Sequence, residues 1–201
     1  MNDAYNPRAT DSLAHSIVTL MMEMDEVPLD DVPRFSGAGV YAIYYVGRFH
    51  AYRWLGKMNK ERATVPIYVG KAVPSGRRQG IDGAGTSATC ALADRVRQHA
   101  TSVRAAQNLD IADFRARWLV IEDIWTPLAE SALIREYRPV WNVIVDGFGD
   151  HDPGQGLIDG FRSRWDTIHP GRPWADKYPA RPETSSQIDQ EITEYLRSRL
   201  A

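Results

Sequence analysis

The chain of 201 residues has one cysteine, Cys90. An internal disulfide is therefore impossible, and so is a zinc site built on several thiolates. Lysine is also scarce. Only Lys57, Lys60, Lys71 and Lys177 stand beside 20 arginines. None of the four follows an acid at the spacing Asp-x-Lys or Glu-x-Lys, which excludes the commoner restriction-nuclease signature. No run of about 18 apolar residues occurs, so no membrane-spanning segment is expected. The opening residues MNDAYNPRATDS lack a basic cluster and an apolar stretch, unlike a secretory signal. A reducing cytoplasm is the expected location. There is no phosphate-binding P-loop, and hence no sign of a nucleotide cofactor. No serine or cysteine sits in a nucleophile elbow. The five histidines, His15, His50, His99, His151 and His169, form no i,i+4 pair of the kind that holds zinc.

What is present is an uneven charge. The formal net charge is −2. Between Val32 and Arg138, however, 16 basic residues face 9 acidic ones, while the flanks are acidic. Salt screens charge over about 10 Å, so a near-neutral total leaves room for a local basic cleft. Arginine forks suit phosphates and the major-groove edge of guanine, although arginine-rich coding alone also explains the bias.

The expected elements follow from periodicity. Asp11 to Asp25 reads as an amphipathic helix with Leu13, Ile17, Leu20, Met21 and Met24 on one stripe. The acidic, proline-broken stretch from Glu23 to Asp31 reads as a solvated linker. Val40 to Val46 and Pro66 to Gly70 read as strands, with Tyr41, Ile43 and Tyr45 on one face of the first. A short helix is expected between them, and a long Gly- and Ser-rich loop after them. Ala88 to Ala106 reads as a helix, Arg115 to Ile121 as a third strand. A helix capped by Thr126 and stopped by Pro139 comes next. The segment VWNVIV reads as extended, and a last helix spans Ser186 to Leu200. Three regions are expected within one domain: a helical extension and acidic linker over 1–35, a core over 36–146, and a C-terminal extension over 147–201 packed on it.

A few residues break these patterns. Glu130 has Leu133, Ile134 and Tyr137 at +3, +4 and +7, which puts a carboxylate on the apolar face of its helix, in the first turn. Such a group needs a cation, either an arginine or a metal ion. His99 lies on the Leu92, Val96, Val103 stripe, with Arg95 one turn before it. Asn142 follows Trp141 in an apolar segment. Beside these stand Tyr41 and Tyr68, one in each of the first two strands. An acid, two phenols, a guanidinium, an imidazole and an amide are the parts that phosphodiester hydrolysis requires.

The runs GVYAIYY and IYVGK, then DRVRQH and AESALIREYRPVWN in that order, resemble the GIY-YIG nuclease superfamily, with Val40 and Val69 in place of isoleucines. The resemblance covers Gly39 to Asn142. The stretches GAGVYAIYY, PIYVGKAVP, NLDIADF, IVDGFGDHDPGQG and IHPGRPWA are further similar to a branch of type II restriction endonucleases within it. It implies an α/β (α+β) core, a three-stranded antiparallel sheet flanked by helices. It also implies a homodimer that cuts palindromic double-stranded DNA. Relatives of this branch cut the G+C-only palindrome CCGCGG.

By the same resemblance Glu130 binds one Mg²⁺ ion, for which Mn²⁺ substitutes. Tyr41 is the candidate general base, helped by Lys71, Tyr68, His99 or the metal, with His99 itself as the alternative base. Arg95 neutralises phosphate charge, Asn142 orients the phosphate or leaving group, and Tyr68 holds water or phosphate. For base reading the arginine chemistry points first to Arg77, Arg78 and Gln79 in the loop after the second strand, then to Arg162, Arg164 and Arg172. The rival functions are a structure-selective repair or recombination nuclease and a DNA-binding module without catalysis.

Overall fold

The computed structural model describes residues 8–74, 89–150, 152 and 160–201. The candidate base-reading residues Arg77, Arg78 and Gln79 lie outside them.

Four strands form one antiparallel sheet in the order β1-β4-β2-β3. They are β1 (Val27–Pro28), β2 (Gly39–Tyr45), β3 (Pro66–Ala72) and β4 (Phe114–Val120). Every residue of β2 is buried. A strand covered on both faces does not need polar alternation, and this one has none. Its side chains divide by parity. Tyr41, Ile43 and Tyr45 join one core cluster, while Val40, Ala42 and Tyr44 join the other.

The second cluster is covered by α1 (Arg8–Glu23) and α4 (Thr126–Tyr137). Ile17 and Met21 point inward from α1, whereas Leu20 is exposed, so the buried stripe is narrower than the periodicity implies. The first cluster is covered by α3 (Ala91–Ala105), by α5 (Val140–Val143), by α6 (Arg164–Ile168) and by α7 (Ser185–Leu200), with α2 (Arg53–Met58) beside α7. Ile188, Ile192 and Leu196 of α7 sit in the same cluster as Tyr41 and Val96, so the C-terminal helix shares the core of the sheet. The result is helices on both sides of a mixed-length antiparallel sheet. Among the described residues no helix is long and apolar enough to cross a membrane.

Several expectations are corrected here. The acidic stretch before the core is more than a linker. Val27 and Pro28 pair with Arg115 and Ala116 as a fourth strand at the sheet edge. Glu26 reaches 3.2 Å from Arg117, a buried arginine that also donates to the carbonyls of Met24 and Ala63 and lies over the Tyr44 ring. A buried guanidinium needs such company, and the N-terminal segment supplies it. Thr126 does not cap α4. It is the first helical residue, and its hydroxyl donates back to Glu122 O. VWNV forms the short helix α5 instead of an extended segment, started by Pro139 after Arg138 takes a left-handed conformation (φ 41°). This reversal turns the chain back under the sheet and aims Asn142 at β3.

Candidate active site

Among the described residues β3 pairs with a strand on one side only, so its outer edge is reached by side chains. Groups from both faces of the sheet meet around that edge. From one face come Tyr41, Tyr68 and His99. The Tyr41 hydroxyl lies 2.6 Å from His99 Nε2, and the Tyr68 ring is 6.2 Å from that of Tyr41 and 5.2 Å from that of His99. Strand pairing explains the fit. Tyr41 is opposite Gly70 in the register. A β-carbon at Gly70 would approach Cζ of Tyr41 to 2.6 Å. The glycine of IYVGK is thus the seat on which the Tyr41 ring rests.

His99 is placed by α3, whose Leu92, Val96 and Val103 anchor it on the sheet. The imidazole itself is 1 % exposed. Its second face is held by Phe148, stacked at 4.5 Å with an interplanar angle of 20°. Arg95, one turn earlier, donates to Gly149 O at 2.8 Å and to Gln98 Oε1 at 2.8 Å. Its positive charge bears on both phenols. Burial dominates their acidity nonetheless. It pushes the Tyr41 pKa well above the ordinary value, and Tyr68 acts in the same direction while Arg95 opposes it. Tyr68, more exposed, is also raised by burial, again against the pull of Arg95. Both are neutral phenols at pH 7.

From the other face come Lys71 and Glu130. Lys71 Nζ lies 2.7 Å from Glu130 Oε2. The cation that meets Glu130 is therefore a lysine on β3, not an arginine. Glu130 is the fifth residue of α4, just past the first turn, and its side chain is 22 % exposed. Its negative charge adds to the rise in the Tyr68 pKa. Lys71 and Arg95 both line a cleft of about 760 Å³ between the end of β3 and α3, with Asp94, Arg97 and Gln98.

Asn142 closes the edge. Its Oδ1 accepts from Val69 N and its Nδ2 donates to Val69 O, both at 2.8 Å. The amide thereby imitates a neighbouring strand for one residue of β3, next to Tyr68.

The structure brings Tyr41, Tyr68, Lys71, Arg95, His99 and Glu130 together, with Asn142 behind them. A profile of the Eco29kI GIY-YIG domain family matches residues 33–196. The chain belongs to that family. The Eco29kI GIY-YIG family is one of type II restriction endonucleases, so the protein is a nuclease and acts on DNA. No match is found among curated proteins.

The three C-terminal arginines have other partners. Arg172 is 3 % exposed, bonds Asp166 through two nitrogens at 2.6 Å each, and lies between the Trp165 and Trp174 rings. In this structure it forms a buried ion pair. Arg164 is engaged by Glu191, Glu183 and Ile144 O. Arg162 pairs with Asp176 and donates to Ala175 O.

Two contributors are not evident from the sequence, Phe148 and the carbonyl of Gly149. Their signal is an aromatic between glycines in IVDGFGDHDPGQG, a stretch that otherwise reads as a plain glycine-rich loop.

Proposed function

We propose that this nuclease hydrolyses both strands of DNA at a palindromic site in a reaction that needs a divalent metal ion, and that it acts as a homodimer. The observation that carries the reading is the convergence of a buried Tyr41–His99 pair, Tyr68, Arg95 and the Lys71–Glu130 pair around the outer edge of β3.

The donor set fits magnesium. Mg²⁺ keeps several waters and is commonly held by one or two carboxylates together with substrate phosphate. Glu130 is a partly exposed carboxylate paired with Lys71, and among the described residues no cluster of three or more His, Cys, Asp or Glu gathers. Glu130 would hold the ion, which when bound polarises the scissile phosphate. Lys71, the present partner of Glu130, would supply a further positive charge for the phosphate. Arg95 sits where a guanidinium can offset charge growing on the phosphoryl oxygens.

Proton removal from the attacking water falls to Tyr41 acting with His99. A neutral phenol is a poor base, and burial makes its anion costlier still. The 2.6 Å contact lets the phenol pass its own proton to His99 Nε2 as it takes one from water. Tyr68 supports the incoming water or a phosphate oxygen from the more open side. Asn142 acts at one remove, by fixing β3 at Val69.

The target is a G+C-rich palindrome, with CCGCGG the first sequence to try. A two-fold protein reading a two-fold site explains the proposed homodimer. Plasmid DNA of known sequence incubated with Mg²⁺ should yield discrete fragments whose ends map to one palindrome. A smear, or cutting restricted to branched DNA, would favour a structure-selective nuclease instead.

A further inference from the structure

At the end of β2 remote from Tyr41, a second cleft of about 360 Å³ opens between the turn 46–48 and α2. Its wall carries four exposed cations, Arg48, Arg53, Lys57 and Lys60. Its floor is backbone. Gly47 and Gly56 pack in direct contact, and a side chain on Gly56 would strike the Gly47 carbonyl.

The charges in this cleft are poorly matched from within. Lys60 reaches Glu61 only at 4.0 Å, and both are exposed. Asp113, behind Gly47, offsets part of Arg48. Among the described residues Arg53 and Lys57 make no ion pair. They are four apart on one helix, a like-charge spacing that destabilises a helix by about 0.2–0.5 kcal/mol. The Arg53 guanidinium and the Lys57 ammonium both lie over the Trp54 ring, at 5.8 and 5.6 Å. The two cations thus share one aromatic support and stay exposed to solvent, without an anion paired to either among the described residues.

We propose that this cleft is a second DNA-backbone site, which takes phosphates of the same duplex that is cut at β3. The inference rests on the nuclease reading and adds a site of its own. From Tyr41 to Val46 the strand advances about 17 Å. Over that length a duplex carries about ten phosphate charges, so one DNA molecule can engage both places. The interaction is with phosphate and carries no base specificity; it holds the duplex against the sheet while the opposite end positions the scissile bond.

The test is DNA affinity measured against salt concentration, with a duplex lacking a cleavable site and with chelator present. Arg53→Gln/Lys57→Gln should give a slope of log K on log salt shallower than wild type by about 1.8, near 0.9 for each phosphate no longer neutralised. Arg48→Gln/Lys60→Gln should shift it in the same direction. Arg135→Gln/Arg197→Gln, exposed arginines elsewhere, should leave it unchanged. The melting temperature of the first variant should stay within a few degrees of wild type, because relief of the like-charge pair and loss of two contacts to the Trp54 ring oppose each other. Its cleavage rate at saturating DNA should match wild type. Wild-type slopes in both cleft variants, or an equal loss in the control, would overturn the proposal alone. A wild-type protein that neither bound nor cut duplex DNA would overturn the nuclease reading with it.

Discussion

The hydroxyl of Tyr41 and the Nε2 of His99 lie 2.6 Å apart, both in side chains almost wholly withdrawn from water. The pair joins the central strand to α3, and each member is held from behind, Tyr41 by Gly70 and His99 by Phe148. Two groups locked in this way act as a unit. Tyr41→Phe and His99→Gln should each lower the single-turnover cleavage rate by about 10²–10⁴. The double variant should be little slower than the worse single one. Losses that multiply would separate the two residues and remove the proton path between them.

Asn142→Ala should slow cleavage while leaving DNA affinity near wild type. The amide bonds both polar groups of Val69, so its removal strips two partners from the edge of β3. Urea unfolding should show a loss of about 1–3 kcal/mol. Loss of DNA affinity with unchanged stability would place Asn142 on the nucleic acid instead.

The C-terminal extension makes a separate prediction through Arg172. Removing one partner of a buried ion pair costs about 3–5 kcal/mol. Arg172→Ala leaves Asp166 buried without its cation, so its effect should appear as lost stability in urea unfolding. A variant of native stability with relaxed sequence preference would return Arg172 to the DNA.

A second tyrosine–histidine pair governs acid stability. His169 accepts or donates at Nε2 with the Tyr52 hydroxyl at 2.6 Å and meets Asn108 Oδ1 at Nδ1. Burial lowers its pKa from 6.5 to about 3. Between those values the unfolded chain binds the proton and the folded one does not. The His169 contribution to stability is therefore complete above about pH 6.5 and is lost as the pH falls toward 3, by about 4–5 kcal/mol in all. Urea midpoints across this window should fall more steeply in wild type than in His169→Gln. Parallel curves would show that His169 does not resist protonation.

The parts legible in the sequence are those with a strong period or a fixed spacing. The run of β-branched and aromatic residues in GVYAIYY marks β2, the stripe of Leu92, Val96 and Val103 marks α3, and Glu130 stands out because a carboxylate breaks an apolar face. Features set by distant partners are hidden. A two-residue strand containing a proline has no pattern, and β1 exists because β4 offers it a ladder. VWNV is rich in residues that favour strands, yet the turn at Arg138 and Pro139 makes it a helix. An arginine looks the same in sequence whether it meets a guanine or a buried Asp166. The lysine partner of Glu130 is equally invisible, because Lys71 and Glu130 reach each other only through the packing of α4 against β3.

The central claim is that the groups around the edge of β3 perform the cutting. Its most direct test is Glu130→Gln, assayed in parallel for cleavage with Mg²⁺ and for duplex binding. The substitution keeps the side chain's size and removes the charge shared with Lys71. Cleavage should disappear while duplex binding persists within a few-fold of wild type. A variant that still cuts DNA at the wild-type rate would contradict the account.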